Sequence, residues 1–269
     1  MYGSEQCVGG KEADAGTLRE SDPYDNAVLD YYTNQKITAK RDNREGVDYY
    51  PTPEPLGFMM NMWGRVKEGD EILEPSAGHG AIARYAPAEN RMTAVEPSQS
   101  LFARLQIKAG GVAGRSFVND IFENYNIVNK HDVVLMNPPF GVQGKLAAEH
   151  VAKAYKHLNE GGRIVAIVPE GKAQDRIGKW LDEQKDAVVV GEVLLPDVTF
   201  VQAGTSIRCR VLVIDKISNE AKRNNAATQK VTHDLSYVES VEEFFETLRG
   251  INMPDRTIDT QLIMEKKAR

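Results

Sequence analysis

Apolar and polar positions along this chain fall into blocks whose period switches. Short apolar runs bounded by turn residues read as strands: EILEP (71–75), RMTAVEPS (91–98), GRSFVNDIF (114–122) and HDVVLMN (131–137). RIVAIVPEG (163–171), DAVVVGEVLLP (186–196) and TSIRCRVLVIDK (205–216) have the same character. Helical patterns lie between them. Residues 79–86 are helix-like, and SQSLFARLQIKAG (98–110) stops at Gly110-Gly111. KLAAEHVAKAYKHLNEGG (145–162) sets Leu146, His150, Ala154 and Leu158 on one face and ends at Gly161-Gly162. KAQDRIGKWLDEQ (172–184) is a further helix. Strands that alternate with helices predict an α/β domain, its sheet mostly parallel and covered on both faces.

The flanks read differently. Residues 1–45 lack aliphatic periodicity and are expected to form a partly irregular arm, with the main domain spanning 46–216. After Lys216 the chain is polar through NEAKRNNAATQK (219–230); Ser240 with Glu243 then forms a capping box, so 217–269 is expected to be a helical extension. Trp63, Met59, Met60 and Met62 read as helix packing.

Composition narrows the class. A chain of 269 residues can bury one large core, and 41% apolar with 27% charged residues is ordinary globular usage. No apolar stretch is long enough to span a bilayer, and the first residues lack the basic-then-apolar pattern of a signal peptide. Cys7 and Cys209 cannot hold a metal by themselves and suggest no disulfide framework. The expectation is a cytoplasmic protein with no metal and no membrane partner. A net charge of −6 does not favour nucleic acid, yet KITAKRDNR (36–44) sets Lys36, Lys40, Arg41 and Arg44 against Asp42 alone. That strip is either a solvated loop or a phosphate contact.

Candidate chemistry sits at the strand ends, where open parallel sheets bind ligands. The first strand runs into Glu74-Pro75-Ser76-Ala77-Gly78-His79-Gly80, whose small residues let the backbone approach a ligand near free N–H groups. The second ends in Glu96, a carboxylate suited to a ribose diol. The third ends in Asn119-Asp120; Asp120 suits an exocyclic amine, and Ile121 or Phe122 the face of a purine. Acids at strand ends are usually just solvated, but three on successive strands point to one ligand site. The fourth strand ends in Asn137-Pro138-Pro139-Phe140.

From residue 47 to 216 the chain resembles the class I S-adenosylmethionine-dependent methyltransferases, and more narrowly those that modify exocyclic amines. EPSAGHG is similar to the first cofactor motif in its DNA-adenine form, and NPPF to the catalytic [DNS]-P-P-[FYW] motif. VDYYPTPEPLGFMM (47–60) resembles the motif around the methionine end of the cofactor, with Tyr50, Thr52 and Pro53 at the matching positions; its upstream place is the gamma-type order. LLPDVTF (194–200) resembles the loop that packs against the target base, with Phe200 as the stacking residue.

The resemblance implies a Rossmann-like seven-stranded sheet with the last strand antiparallel, and S-adenosylmethionine held by the residues above, Gly80, Ile121, Phe122 and Asn137 included. It implies N6-adenine methylation of double-stranded DNA with base flipping. Asn137 through its side-chain oxygen and Pro138 through its carbonyl would accept the two N–H bonds of an amine whose lone pair is otherwise delocalised. Pro138 and Pro139 fix that backbone, and Phe140 offers a stacking face. Positioning, with no covalent intermediate, would do most of the work. Phe140, Phe200, Lys36, Lys40 and Arg41 would face the substrate.

One departure matters. Gamma-type enzymes of restriction-modification systems usually carry a large target-recognition domain, and only about fifty residues follow Lys216 here. Low sequence preference, as in phage and mobile-element enzymes, is one outcome; recognition through the basic arm, dimerisation or a partner is another, and the oligomeric state stays open. RNA base methyltransferases share NPPF. Protein glutamine methyltransferases bind the same N–H pair but open with Asp-x-Gly-x-Gly, absent here. A non-catalytic binding module is a further alternative, opposed by the two intact motifs. His79, His131 and His150 are given no role.

Overall fold

The computed structural model describes residues 22–35, 50–126, 129–203, 207–217 and 230–256. Eight strands pair in one sheet: β1 Glu71–Glu74, β2 Arg91–Val95, β3 Arg115–Val118, β4 His131–Met136, β5 Leu158–Pro169, β6 Ala187–Leu194, β7 Cys209–Lys216 and β8 Val231–Asp234. Their order is β3-β2-β1-β4-β5-β7-β6-β8. β1 lies parallel to β2 and β4, and β4 parallel to β5, whereas β7 runs antiparallel to both β5 and β6. The strand order reverses between β1 and β4, and such a switch point opens a crevice at the carboxyl ends.

β4 is buried at all six positions because helices cover both sides. Val133 and Leu135 pack with Leu56, Met60 and Trp63 of α2 (Glu54–Gly64). Val134 and Met136 point the other way, toward Val151 and Ala154 of α4 (Lys145–Lys156) and Ile177 of α5 (Lys172–Glu183). The period of two that marks a strand therefore survives inside a run that looks uniformly apolar. α3 (Gln99–Ala109) begins where Ser98 Oγ accepts the Leu101 N–H at 3.3 Å. α6 (Val241–Arg249) begins where Ser240 Oγ accepts the Glu243 N–H at 3.1 Å, as the capping box predicts.

Four expectations need correction. The arm contains a helix, α1 (Pro23–Gln35), which buries Tyr24, Ala27 and Tyr31 as one stripe. Tyr24 Oη donates to the Phe245 carbonyl at 2.6 Å, and Tyr31 meets the Phe245 ring edge-on at 4.8 Å. That stripe is aromatic and alanine, so a search for aliphatic periodicity passes over it. Secondly, the helix expected over 145–162 stops at Lys156; pairing of Leu158 with His131 draws the next residues into β5, and Gly161 turns there at φ +75°. Thirdly, the pattern over 79–86 yields only a 3-10 turn at Ala83–Tyr85. Finally the sheet has eight strands, not seven: β8 adds parallel to β6 from the extension expected to be helical, and its VTHD segment is too short and polar to signal a strand. The seventh strand is antiparallel, as expected.

Opposite the crevice, buried charges tie the sheet together. Arg163 Nε and Nη2 meet the two oxygens of Asp215 at 2.6 and 2.8 Å, while Nη1 donates to the carbonyls of Trp63 at 3.0 Å and Pro254 at 2.7 Å. Arg256 pairs with Asp70 and donates to the Asp132 carbonyl at 3.1 Å. The Trp63 indole N–H reaches the Ile251 carbonyl at 3.0 Å, so residues 251–256 are strapped to α2 and the sheet.

His131, which opens β4, gives a pH prediction. Burial pushes its imidazole down from 6.5 to about 4, against the pull of Asp132 and with the help of His157. A folded-state pKa below the unfolded one contributes stability that is present above pH 6.5 and lost as pH falls through 4. About 3 kcal/mol should disappear across that window. Urea unfolding followed from pH 7 to 4 checks this: His131→Asn should flatten the profile relative to wild type, and parallel profiles would exclude His131 as a source of acid sensitivity.

Candidate active site

The carboxyl ends of β1, β2 and β4, with the turn after β3, surround a cavity of about 340 Å³, within the range of small-molecule sites. Its floor is the loop after β1. Gly80 sits at φ +90°, a conformation glycine adopts without strain. α2 presses on this loop so closely that a Cβ on Gly57 would lie 2.3 Å from the Ala81 carbonyl oxygen.

Glu96, at the end of β2, organises the loop. Its Oε2 accepts the Gly78 N–H at 2.7 Å and its Oε1 the Ser98 N–H at 2.9 Å. A carboxylate has about four acceptor positions, a donor-hungry group suited to a ligand that carries paired hydroxyls. Glu74 is buried at the end of β1, with no hydrogen-bond partner for Oε2 among the described residues. Burial, reinforced by Glu96 and opposed by the Ala83 N–H, holds its carboxyl well above the usual range. Ser76 Oγ, in the same lining, is also buried and unpartnered.

Asn137 leaves β4 directly into the cavity wall. Its Nδ2 donates to the Tyr50 carbonyl at 2.8 Å and to Thr52 Oγ1 at 3.0 Å. The Tyr50 carbonyl can only accept, so the amide orientation is determined and Oδ1 remains as an acceptor. Pro138 and Pro139 continue the wall.

The structure brings most of the expected residues together. Tyr50, Thr52, Glu74, Pro75, Ser76, Ala77, Gly78, Glu96, Ile121, Phe122, Asn137, Pro138 and Pro139 all line the cavity. Pro53 and Gly80 lie just behind it: Pro53 precedes α2, and Gly80 closes the turn by donating to the Ala77 carbonyl at 2.9 Å. Phe140 and Phe200 are buried rather than presented. Phe140 stacks on Tyr50 at 5.2 Å and 19°, and Phe200 meets Tyr50 edge-on at 6.4 Å. Asp120 does not reach the cavity. It is exposed, and its Oδ1 accepts the Ile121 N–H at 2.7 Å and Asn124 Nδ2 at 3.1 Å, capping the turn after β3. Lys36, Lys40 and Arg41 fall outside the described residues.

Several lining residues were assigned no role from the sequence, His79 inside the first motif among them. His79 faces Glu54 of α2, with Nε2 3.8 Å from Oε1, and Asn34 of α1 donates to the same oxygen at 2.6 Å. Leu146, His150 and Glu123 complete the wall beside Phe122. The first two share the helical face visible in the sequence, and that spacing was the available clue.

Residues 62–185 match the model of the family described as Methyltransferase small domain. The segment has the class I methyltransferase fold. A structure from Listeria monocytogenes assigned to the class I S-adenosylmethionine-dependent methyltransferases superposes with a TM-score of 0.61 at 13% identity, covering 86% of this chain and 81% of that one. The methyltransferase subunit of a type I restriction-modification system from Streptococcus thermophilus gives 0.60 at 16% identity, over 94% of this chain and 59% of that one. Among curated proteins, the tRNA (guanine(10)-N2)-dimethyltransferase of Methanothermobacter thermautotrophicus is 26% identical over 140 residues. The match takes in 45% of this chain, which spans 40% of the length of that relative.

The fold, together with the family model matched by residues 62–185, implies S-adenosylmethionine as the cofactor. The site fits it. Two buried oxygens without partners among the described residues, Glu74 Oε2 and Ser76 Oγ, belong to residues lining a cavity that also carries Glu96 and the apolar side chains of Ile121 and Phe122. A ligand with an ammonium, hydroxyls and a flat heterocycle matches that set of acceptors and apolar surface.

Proposed function

We propose that this protein transfers a methyl group to the exocyclic N6 amine of adenine in DNA. The observation that carries the proposal is the fixed Asn137 amide, whose two N–H bonds are spent on Tyr50 and Thr52 and whose oxygen is left to accept. The cofactor supplies an electrophilic methyl group. Asn137 Oδ1 and the Pro138 carbonyl accept the two N–H bonds of the target amine, which pulls the nitrogen toward tetrahedral geometry and turns its lone pair toward the methyl group. Preorganised acceptors need no rearrangement as charge develops on nitrogen. Glu96 holds the ribose, Glu74 and Ser76 the methionine end, and Ile121 with Phe122 the base.

The Glu-Pro opening of the loop after β1 supports DNA adenine over other amines. A second reading, an RNA guanine N2 amine, is supported by the tRNA-modifying relative and needs the same acceptor pair. Nucleoside mass spectrometry on DNA and RNA from a methylation-deficient host expressing the protein separates them. N6-methyladenine in DNA, absent with Asn137→Ala, is the expected result. A modified base in RNA alone would transfer the mechanism to the second substrate, and silence in both would overturn the proposal.

A further inference from the structure

The cavity wall next to Phe122 holds a polar group that no motif accounts for. His150, on the inner face of α4, is 3% exposed and lines the cavity with Leu146 from one turn earlier. Its ring lies edge-on to Phe122 with centroids 5.2 Å apart. Nδ1 has no hydrogen-bond partner among the described residues. Nε2 lies 3.3 Å from Glu123 Oε1, out of line for a full hydrogen bond but close enough for the carboxylate to favour a proton on that nitrogen. Nδ1 is then a lone-pair acceptor buried in a side chain that lines a ligand site, and a buried acceptor costs free energy until something donates to it. The wall is held firmly: Lys153, one turn beyond His150, donates from Nζ to the carbonyls of Phe122 at 2.5 Å and Glu123 at 2.8 Å.

The group expected to take a purine amine, Asp120, is turned to solvent and occupied in capping its own turn. The subsite bounded by Ile121, Phe122 and Leu146 thus lacks its anticipated acceptor and contains another. We propose that His150 reads the edge of the cofactor's adenine, accepting a hydrogen bond from its exocyclic amine at Nδ1, with Glu123 fixing the tautomer. His150 is then a specificity residue for the cofactor, not a catalytic one. Burial holds its imidazole below the ordinary histidine range despite Glu123, which keeps the ring neutral and able to accept at neutral pH.

The inference rests on the cofactor occupying this cavity, and the test separates the two. Calorimetry would compare S-adenosylhomocysteine with S-inosylhomocysteine, in which a carbonyl replaces the amine. Wild type should bind the adenosyl compound at least about tenfold more tightly. His150→Leu should lose about tenfold on the adenosyl compound and little on the inosyl one, so that discrimination collapses. His150→Asn, whose side-chain oxygen stands near the Nδ1 position, should restore part of it. Equal discrimination in wild type and His150→Leu would overturn the role of His150 and leave the cofactor site standing; no binding of either compound to wild type would overturn both. Should His150→Leu not fold, nitrogen-15 spectra of the wild-type histidine rings decide. Adding S-adenosylhomocysteine must shift the His150 Nδ1 resonance while Nε2 stays protonated, and an unmoved resonance sinks the proposal.

Discussion

Asn137→Ala is expected to lower kcat by about 10²–10³, roughly 2.7–4 kcal/mol of transition-state stabilisation, while the affinity for S-adenosylhomocysteine stays within a few-fold. The size follows from losing one of two preorganised acceptors on the reacting nitrogen. The split between rate and binding follows from the orientation of the amide, whose Oδ1 is the side not committed to the protein. Asn137→Asp is a sharper variant. It keeps an oxygen for the amine but places a second oxygen against the Tyr50 carbonyl and Thr52 Oγ1, which now receive two N–H bonds. That change should loosen the 50–52 segment and raise KM for the cofactor. Stopped-flow or single-turnover rates alongside calorimetry resolve the two effects. If Asn137→Ala loses cofactor affinity as steeply as rate, the residue acts by holding Tyr50 and Thr52, and the amine must be positioned by other groups.

Arg163→Met is expected to cost about 3–5 kcal/mol of folding stability, because it strands the Asp215 carboxylate in the interior without its partner. Arg163 is fully buried and donates to four acceptors spread over α2, β7 and the segment at Pro254. Replacing both members, Arg163→Met with Asp215→Leu, should recover much of the loss, since removing a buried pair costs less than halving it. Urea denaturation midpoints for the three variants test the scheme. A single substitution that costs under about 1 kcal/mol would mean that water reaches Asp215 and the pair is not a buried one.

What the sequence disclosed, and what it withheld, has a common cause. The strands and the residues at their ends are local patterns. Val133 to Met136 reads as a buried strand in one dimension, and Asn137 follows it wherever the strand goes. The loops after β1 and β4 that line the cavity could therefore be placed from spacing alone. Asp120 could not, because whether its carboxylate faces a ligand or caps its own turn depends on the conformation of residues 120–124. Phe140 and Phe200 are a different case. Both were expected to meet a base, but both are buried against Tyr50 in the described chain, where burial of large rings is favourable without a substrate. The α1 stripe of Tyr24, Ala27 and Tyr31 was hidden by its composition, and its docking partner Phe245 lies far along the sequence. His150 was visible as a position on a helix face. That its Nδ1 lacks a partner among the described residues is a property of three-dimensional packing alone.

The place of β7 in the sheet has a consequence for synthesis. It slots between β5 and β6, which precede it in the chain, so the sheet cannot be completed in the order in which it is translated. From the emergence of Pro169 until that of Lys216, β5 presents an open flank of unpaired backbone N–H and C=O groups where β7 will pair. At about 5–20 residues per second this wait lasts on the order of 2–10 seconds. A ribosome-bound nascent chain halted inside that interval should be the aggregation-prone species, and the one that holdase chaperones capture, whereas a chain released past β7 should have closed the flank.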